Sequence, residues 1–149
     1  MEKRVNRIMA IDYGDKRVGI ALTDPLQIVA SGYITLKNSE KLMEDILKIC
    51  KEKSVDKIVI GIPYNEEYKI GNSAKKIMDF VEKLHLFFKE MSYNIEIYGE
   101  DERYTTTYAN ETLRELKVKN KRKKEVIDQI AASKMLTSFL NNRNRERLK

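Results

Sequence analysis

Three apolar runs crowd into the first thirty-six residues: Arg7–Asp12 (RIMAID), Val18–Thr23 (VGIALT) and Ile28–Leu36 (IVASGYITL). Each has the length of a strand, and the connections between them are too short for a helical crossover. Tyr13-Gly14-Asp15-Lys16 supplies a turn and Asp24-Pro25 a break. Strands this close in sequence must pair antiparallel, so the chain is committed to a meander at its start.

The period then changes. Ser39 is placed to cap a helix that carries Leu42, Met43, Ile46, Leu47 and Cys50 at helical spacing. Lys57–Ile62 (KIVIGI) predicts a fourth strand, stopped by Pro63. Ser73 opens a longer helix with Ala74, Ile77, Val81, Leu84 and Phe88 on one face, and Ile95–Tyr98 begins a fifth strand. A short helix is expected after the threonines at 105–107, and a last helix from about Lys124 to Leu140. The predicted fold class is α/β: a five-stranded mixed sheet, three strands antiparallel and then two parallel, flanked by helices. One domain is expected over 1–149, with 141–149 as a frayed basic tail.

Composition narrows the chemistry. The one cysteine, Cys50, has no partner for an internal disulfide, and the one histidine, His85, lies beside an apolar helical stripe. Zinc sites of the Cys/His type and histidine-based catalysis are therefore poorly served. No apolar run approaches the roughly 20 residues needed to cross a membrane, and no signal peptide is expected, so the default compartment is the cytosol. The 29 Lys and Arg residues exceed the 23 acids, for a net charge of +6. Six of the eight residues 117–124 are basic. This stretch reads as a mobile loop suited to a phosphate backbone, or as a solvated linker between helices.

Three acidic positions carry the functional signal. Asp12 ends a strand expected to be central and buried, where a carboxylate needs a partner, water or a cation. Asp128 lies on the apolar stripe of the last helix: at 100° per residue, Ala131, Ala132, Met135 and Phe139 all fall within about 60° of it. The helix dipole accounts for an acid in a first turn, but not for its place on the buried face. The run Glu100-Asp101-Glu102-Arg103 follows the fifth strand and would reach the edge of the sheet where Asp12 lies. Converging carboxylates repel, and a hard divalent cation such as Mg²⁺ or Mn²⁺ relieves the repulsion. Such ions hydrolyse phosphodiesters without histidine, cysteine or an organic cofactor.

Four segments together resemble one known family. The run AIDYGDKRVGIA at residues 10–21, VIGIPYN at 59–65, DERYTT at 101–106 and IDQIAA at 127–132 are similar, in order and spacing, to motifs of the YqgF-like proteins. These are described as pre-16S rRNA nucleases and as Holliday junction resolvases, with an RNase H-like fold. The resemblance covers roughly residues 8 to 140. It implies that Asp12, Glu102 and Asp128 are the catalytic and metal-ligating residues, with Mg²⁺ or Mn²⁺ as cofactor. The choice of Glu102 over Asp101 rests on the resemblance; alternation in a strand would send the two to opposite faces. Asp15, and the loop Glu66–Ile70 ahead of Gly71, depart from the family pattern.

Around these acids, Lys16, Arg17, Arg103, Thr105, Thr106, Lys121, Arg122, Lys123 and Lys124 are candidates for holding the substrate backbone. Arg17 and Arg103 are equally suited to pairing with an acid, and the threonines to capping a helix. Tyr13, Tyr64 and Tyr104 lie near these segments, suited to rim packing or to stacking on a base. The expected function is metal-dependent cleavage of structured RNA in 5′-end processing of pre-16S rRNA, with the ribosomal small subunit as a possible partner. The alternatives are a resolvase acting on branched DNA, which calls for a homodimer rather than a monomer, and a nucleic-acid-binding protein without catalysis. Asp12, Gly14 and Gly19 also resemble the phosphate hairpin of actin-like and sugar-kinase ATPases, but those need two lobes, and no Walker-type motif is present.

Overall fold

The computed structural model describes residues 6–63, 72–101, 120–141 and 146–149. Strands β1 (Arg7–Tyr13), β2 (Arg17–Thr23) and β3 (Ala30–Lys37) form the meander. Helix α1 (Leu42–Lys53), strand β4 (Val55–Ile62), helix α2 (Asn72–Glu90) and strand β5 (Glu96–Asp101) follow. Helix α3 (Asn120–Asn141) and a two-residue strand, β6 (Glu146–Arg147), complete the described chain. The sheet order is β3-β2-β1-β4-β5-β6. β1 pairs antiparallel with β2 and parallel with β4, and β4 pairs parallel with β5. All five expected strands are therefore present with the expected directions, and β1 and β4 are central.

Alternation along the strands divides the core in two. Met9, Ile11, Ile20, Ile58, Ile60 and Ile97 pack on one face against Ile46, Cys50, Val81, Leu84 and Phe88 of α1 and α2. Ile8, Ala10, Ala21 and Val59 pack on the other against Ala132, Met135, Leu136 and Phe139 of α3. The helix pair thus faces large β-branched residues, which fill a thick layer. Where α3 crosses β2 and β3 the strands present Gly19, Ala21 and Gly32, so the helix backbone lies close to them. Gly32 of β3 belongs to this closeness: a Cβ there would lie 2.9 Å from the Cβ of Gln129.

Several expectations are corrected. β3 begins at Ala30, not Ile28; Ile28 and Val29 instead donate their amides to the Asp24 carboxylate in the turn before it. Ser39 does not cap α1, whose first flanking residue is Lys41 with no side-chain cap. Ser39, two residues earlier, instead holds the turn into the helix: its hydroxyl accepts from the Lys41 amide at 3.3 Å and its carbonyl from the Leu42 amide at 3.1 Å. α3 starts at Asn120 rather than Lys124, so residues 120–124 are helical and not a mobile loop. Lysine and arginine are good helix formers, and charge alone hid that. The tail is also not frayed at its end. β6 pairs with Tyr98 and Gly99, the Leu148 amide donates to the Ile97 carbonyl at 2.7 Å, and Lys149 Nζ meets Glu82 at 2.6 Å. The short helix expected after 105–107 lies outside the described residues.

Candidate active site

The carboxyl ends of β1, β4 and β5 point to one edge of the sheet, as their parallel pairing requires. Asp12 stands at this edge on β1. Ala10 and Ile8, two and four residues before it, face α3, and alternation puts Asp12 on the same side. Its cross-strand partner is Gly19 of β2, and Gly19 is in turn paired with Thr35 of β3. Asp12, Gly19 and Thr35 form one row across the sheet.

α3 crosses directly above that row. A Cβ on Gly19 would fall 2.2 Å from the Asp128 carbonyl oxygen and 2.8 Å from its Cβ. Only a glycine admits the helix at this distance. Opposed residues in an antiparallel pair have Cβ atoms about 4.5–5.5 Å apart on one face, so the Cβ atoms of Asp12 and Asp128 lie within about 8 Å of each other. Thr35 fixes the helix from the other end of the row: its hydroxyl donates to the Glu125 carbonyl at 2.7 Å and accepts from Gln129 Nε2 at 3.2 Å.

Asp128 is held by Arg17, whose Nε donates to Oδ2 at 3.0 Å. The Asp128 side chain keeps 17% of its exposure, against 38% for Arg17. Burial raises the Asp128 pKa above the ordinary carboxylate value; the Arg17 hydrogen bond and charge pull the other way without cancelling it, and Glu125 adds a smaller upward push. A carboxylate in this state carries a desolvation cost that a cation would relieve. Arg17, open at the sequence level, pairs with an acid. Lys16 is exposed in the turn beside it, and Asn38 ties that turn down through Nδ2 to the Gly14 carbonyl at 2.8 Å and through its amide to the Lys16 carbonyl at 2.9 Å.

The remaining candidates divide. Arg122 and Lys124 are exposed and Lys123 half-buried in the first turns of α3, near Asp128 along the helix. The side chain of Lys121, and Glu102, Arg103, Thr105 and Thr106 entirely, lie outside the described residues, as do Tyr64 and Tyr104. β5 ends at Asp101, at the same edge as Asp12. Glu100, the first acid of the run at 100–103, accepts a 2.9 Å hydrogen bond from Ser138 of α3, on the face opposite Ile97. Among the described residues, no group of three acids, histidines or cysteines gathers as a metal cluster. The hard oxygen donors of Asp12 and Asp128 nevertheless suit Mg²⁺ or Mn²⁺ in kind. His85 and Cys50 take no part: Cys50 is buried among α1 core residues.

Comparison with known proteins follows the same lines. A protein of Clostridium acetobutylicum named "Putative pre-16S rRNA nuclease" is 36% identical over 138 residues, covering 91% of this chain and 98% of its own length. One of the same name from Natranaerobius thermophilus is 36% identical over 137 residues, covering 91% and 94%. Among solved structures, T. thermophilus RuvC in complex with a Holliday junction substrate superposes with a TM-score of 0.57 at 13% identity, covering 96% of this chain and 99% of that one. Thermus thermophilus RuvC gives 0.55 at 15%, covering 95% and 99%. The fold is thus the RNase H-like fold of RuvC. The family model described as "RuvX: Holliday junction resolvase" matches residues 6–142, and the chain belongs to that family.

Proposed function

We propose that this protein is a nuclease that hydrolyses phosphodiester bonds of structured RNA, in 5′-end processing of pre-16S rRNA, at the edge of the sheet where Asp12 and Asp128 meet. The observation that carries this reading is the row Asp12–Gly19 beneath Asp128: two acids from distant segments share one face, and a glycine is required to bring them there. The substrate class is taken from the relatives that match along nearly their whole length. The proposed ligands for Mg²⁺ or Mn²⁺ are Asp12 and Asp128, with Glu102 carried over from the family resemblance. A divalent ion held there supplies positive charge against the phosphodiester and acidifies water for attack.

The chain's own residues do the rest. Arg17 orients Asp128 and opposes, without cancelling, the burial that disfavours its charged form. Lys16 on the turn, and Arg122, Lys123 and Lys124 on the first turns of α3, hold the strand by its phosphates. That end of α3 carries no acid in its first turn. The positive end of the helix dipole and its basic side chains both favour an anion. Arg103, Thr105, Thr106 and Lys121 are proposed substrate contacts from sequence. The protein works as a monomer or homodimer, in the cytoplasm, and the ribosomal small subunit is a proposed partner. Among the described residues no helix is long and apolar enough to cross a membrane.

The family model's description favours a second reading, cleavage of branched DNA. A paired assay separates the two. Purified protein meets labelled precursor-like RNA and a four-way DNA junction, each with Mg²⁺, Mn²⁺ or EDTA. Metal-dependent cutting of the RNA alone is expected. Cutting of the junction alone would replace the first reading with the second, and binding without cutting of either would leave a recognition protein.

A further inference from the structure

Behind the acidic edge, on the opposite face of the sheet, lies a cavity of about 480 Å³. Its size suits a small organic ligand or one unit of a polymer. The β1 end, the segment leading into α1, and α2 border it, and it opens to solvent on the side where Glu40, Lys76, Asp79 and Lys83 stand exposed. Tyr13 lines it, with its ring stacked on Phe80 at 4.3 Å, and Leu42 and Met43 add apolar wall. Among the described residues its charged lining is balanced: Lys76 and Lys83 stand against Glu40 and Asp79, with Asn38 beside them.

That balance argues against an anion. A phosphate entering the cavity would meet two carboxylates as well as two ammonium groups. A neutral heterocycle with both donors and acceptors fits better. Its amino and imino N–H groups would donate to Glu40 or Asp79, and its ring nitrogens or carbonyls would accept from Lys76 or Lys83. Aromatic and apolar walls complete a site for a flat ring.

The cavity also has a fixed relation to the acids. Tyr13 follows Asp12 directly, and consecutive residues of a strand point to opposite faces. The turn at Gly14 is the rim between them, secured by Asn38 and by the 3.6 Å pair of Lys76 with Asp15. A strand lying over this rim would present a phosphate on the Asp12 side and the base of an adjoining nucleotide on the Tyr13 side.

We infer that the cavity lined by Tyr13, Asp79 and Lys83 takes an unpaired nucleobase next to the bond being cut. This rests on the nuclease reading and narrows its substrate. A base stacked inside a duplex cannot enter, so the preferred substrate carries an unpaired or extruded nucleotide beside the scissile phosphodiester.

The test uses oligonucleotides with 2-aminopurine moved one position at a time, bound to the full chain carrying Asp12→Asn so that no strand is cut. Quenching of several-fold is expected at one position in a single strand and at none in a full duplex. An abasic nucleotide at that position is expected to weaken binding and slow cutting by wild type about tenfold, the scale of one base–aromatic stack. Lys83→Ala, at an exposed position, should weaken binding of the intact strand and leave the abasic one unchanged. Tyr13→Leu should abolish the quench, with its fold checked by unfolding. No quenched position, or an abasic strand cut as fast as an intact one, would overturn the base site while leaving the nuclease standing. A quench lost in both variants, without cutting by wild type of any substrate, would keep the base site and remove the nuclease.

Discussion

Gly19 lies under Asp128 so closely that a single added carbon would stand 2.2 Å from the Asp128 carbonyl oxygen. The glycine is thus the seat of the helix that brings the second acid to the site. The turn it follows is the one that Asp12 precedes, so one hairpin positions both carboxylates.

Gly19→Ala should therefore act on fold and function together. The added methyl meets backbone, not a flexible side chain, and α3 must move. Overpacking of this kind costs about 1–3 kcal/mol. Urea unfolding is expected to show that loss, and cleavage should fall further than the fraction unfolded explains. Full activity with unchanged stability would mean that the helix does not need this seat.

Asp128 gives a stability prediction with a definite sign. Its folded pKa lies above the ordinary value because burial outweighs Arg17. The folded chain then binds the proton more tightly than the unfolded chain. The stabilisation is complete below the unfolded pKa and is lost as pH rises through the folded one. Asp128→Asn cannot titrate. In chelator, its Tm should gain on wild type as pH rises from the ordinary aspartate pKa through the raised folded one. An Asn variant that loses ground on wild type as pH rises would contradict the assignment.

Much of this was legible in sequence, for physical reasons that differ by element. The meander was forced by short connections, and β4 and β5 by β-branched runs ended by Pro63 and by acids. Asp12 and Asp128 stood out because each puts a charge where burial makes charge costly. What sequence did not reveal was mostly non-local. The closeness at Gly19 depends on a helix more than a hundred residues away, and no spacing rule encodes it. β6 is two residues long and exists only because the edge of β5 is there to pair with. The start of α3 was missed because a basic run was read by its charge instead of its helix propensity.

The carboxyl-terminal segment gives a third prediction. Leu148 packs against the core beneath α2 and lies beside Gly99. Leu148→Ala should cost about 1–2 kcal/mol, less than a fully buried leucine because the side chain is only partly covered. Urea titration measures it. No change would return the tail to a frayed extension.

Cys50 is fully buried, and burial pushes its thiol pKa up to about 12. A thiol in that state should resist Ellman's reagent at about pH 8 in the native protein and react once the chain unfolds. Rapid labelling of native protein would show that α1 opens under native conditions.

The central claim is that Asp12 and Asp128 form one site. Cleavage rates of Asp12→Asn, Asp128→Asn and the double variant test it most directly, with Mg²⁺ present and folding confirmed for each. If the two carboxylates act as a unit, each single change should remove nearly all activity, and the double variant should be no slower than the slower single. Losses that multiply, or a single variant that cuts as fast as wild type, would contradict a shared site.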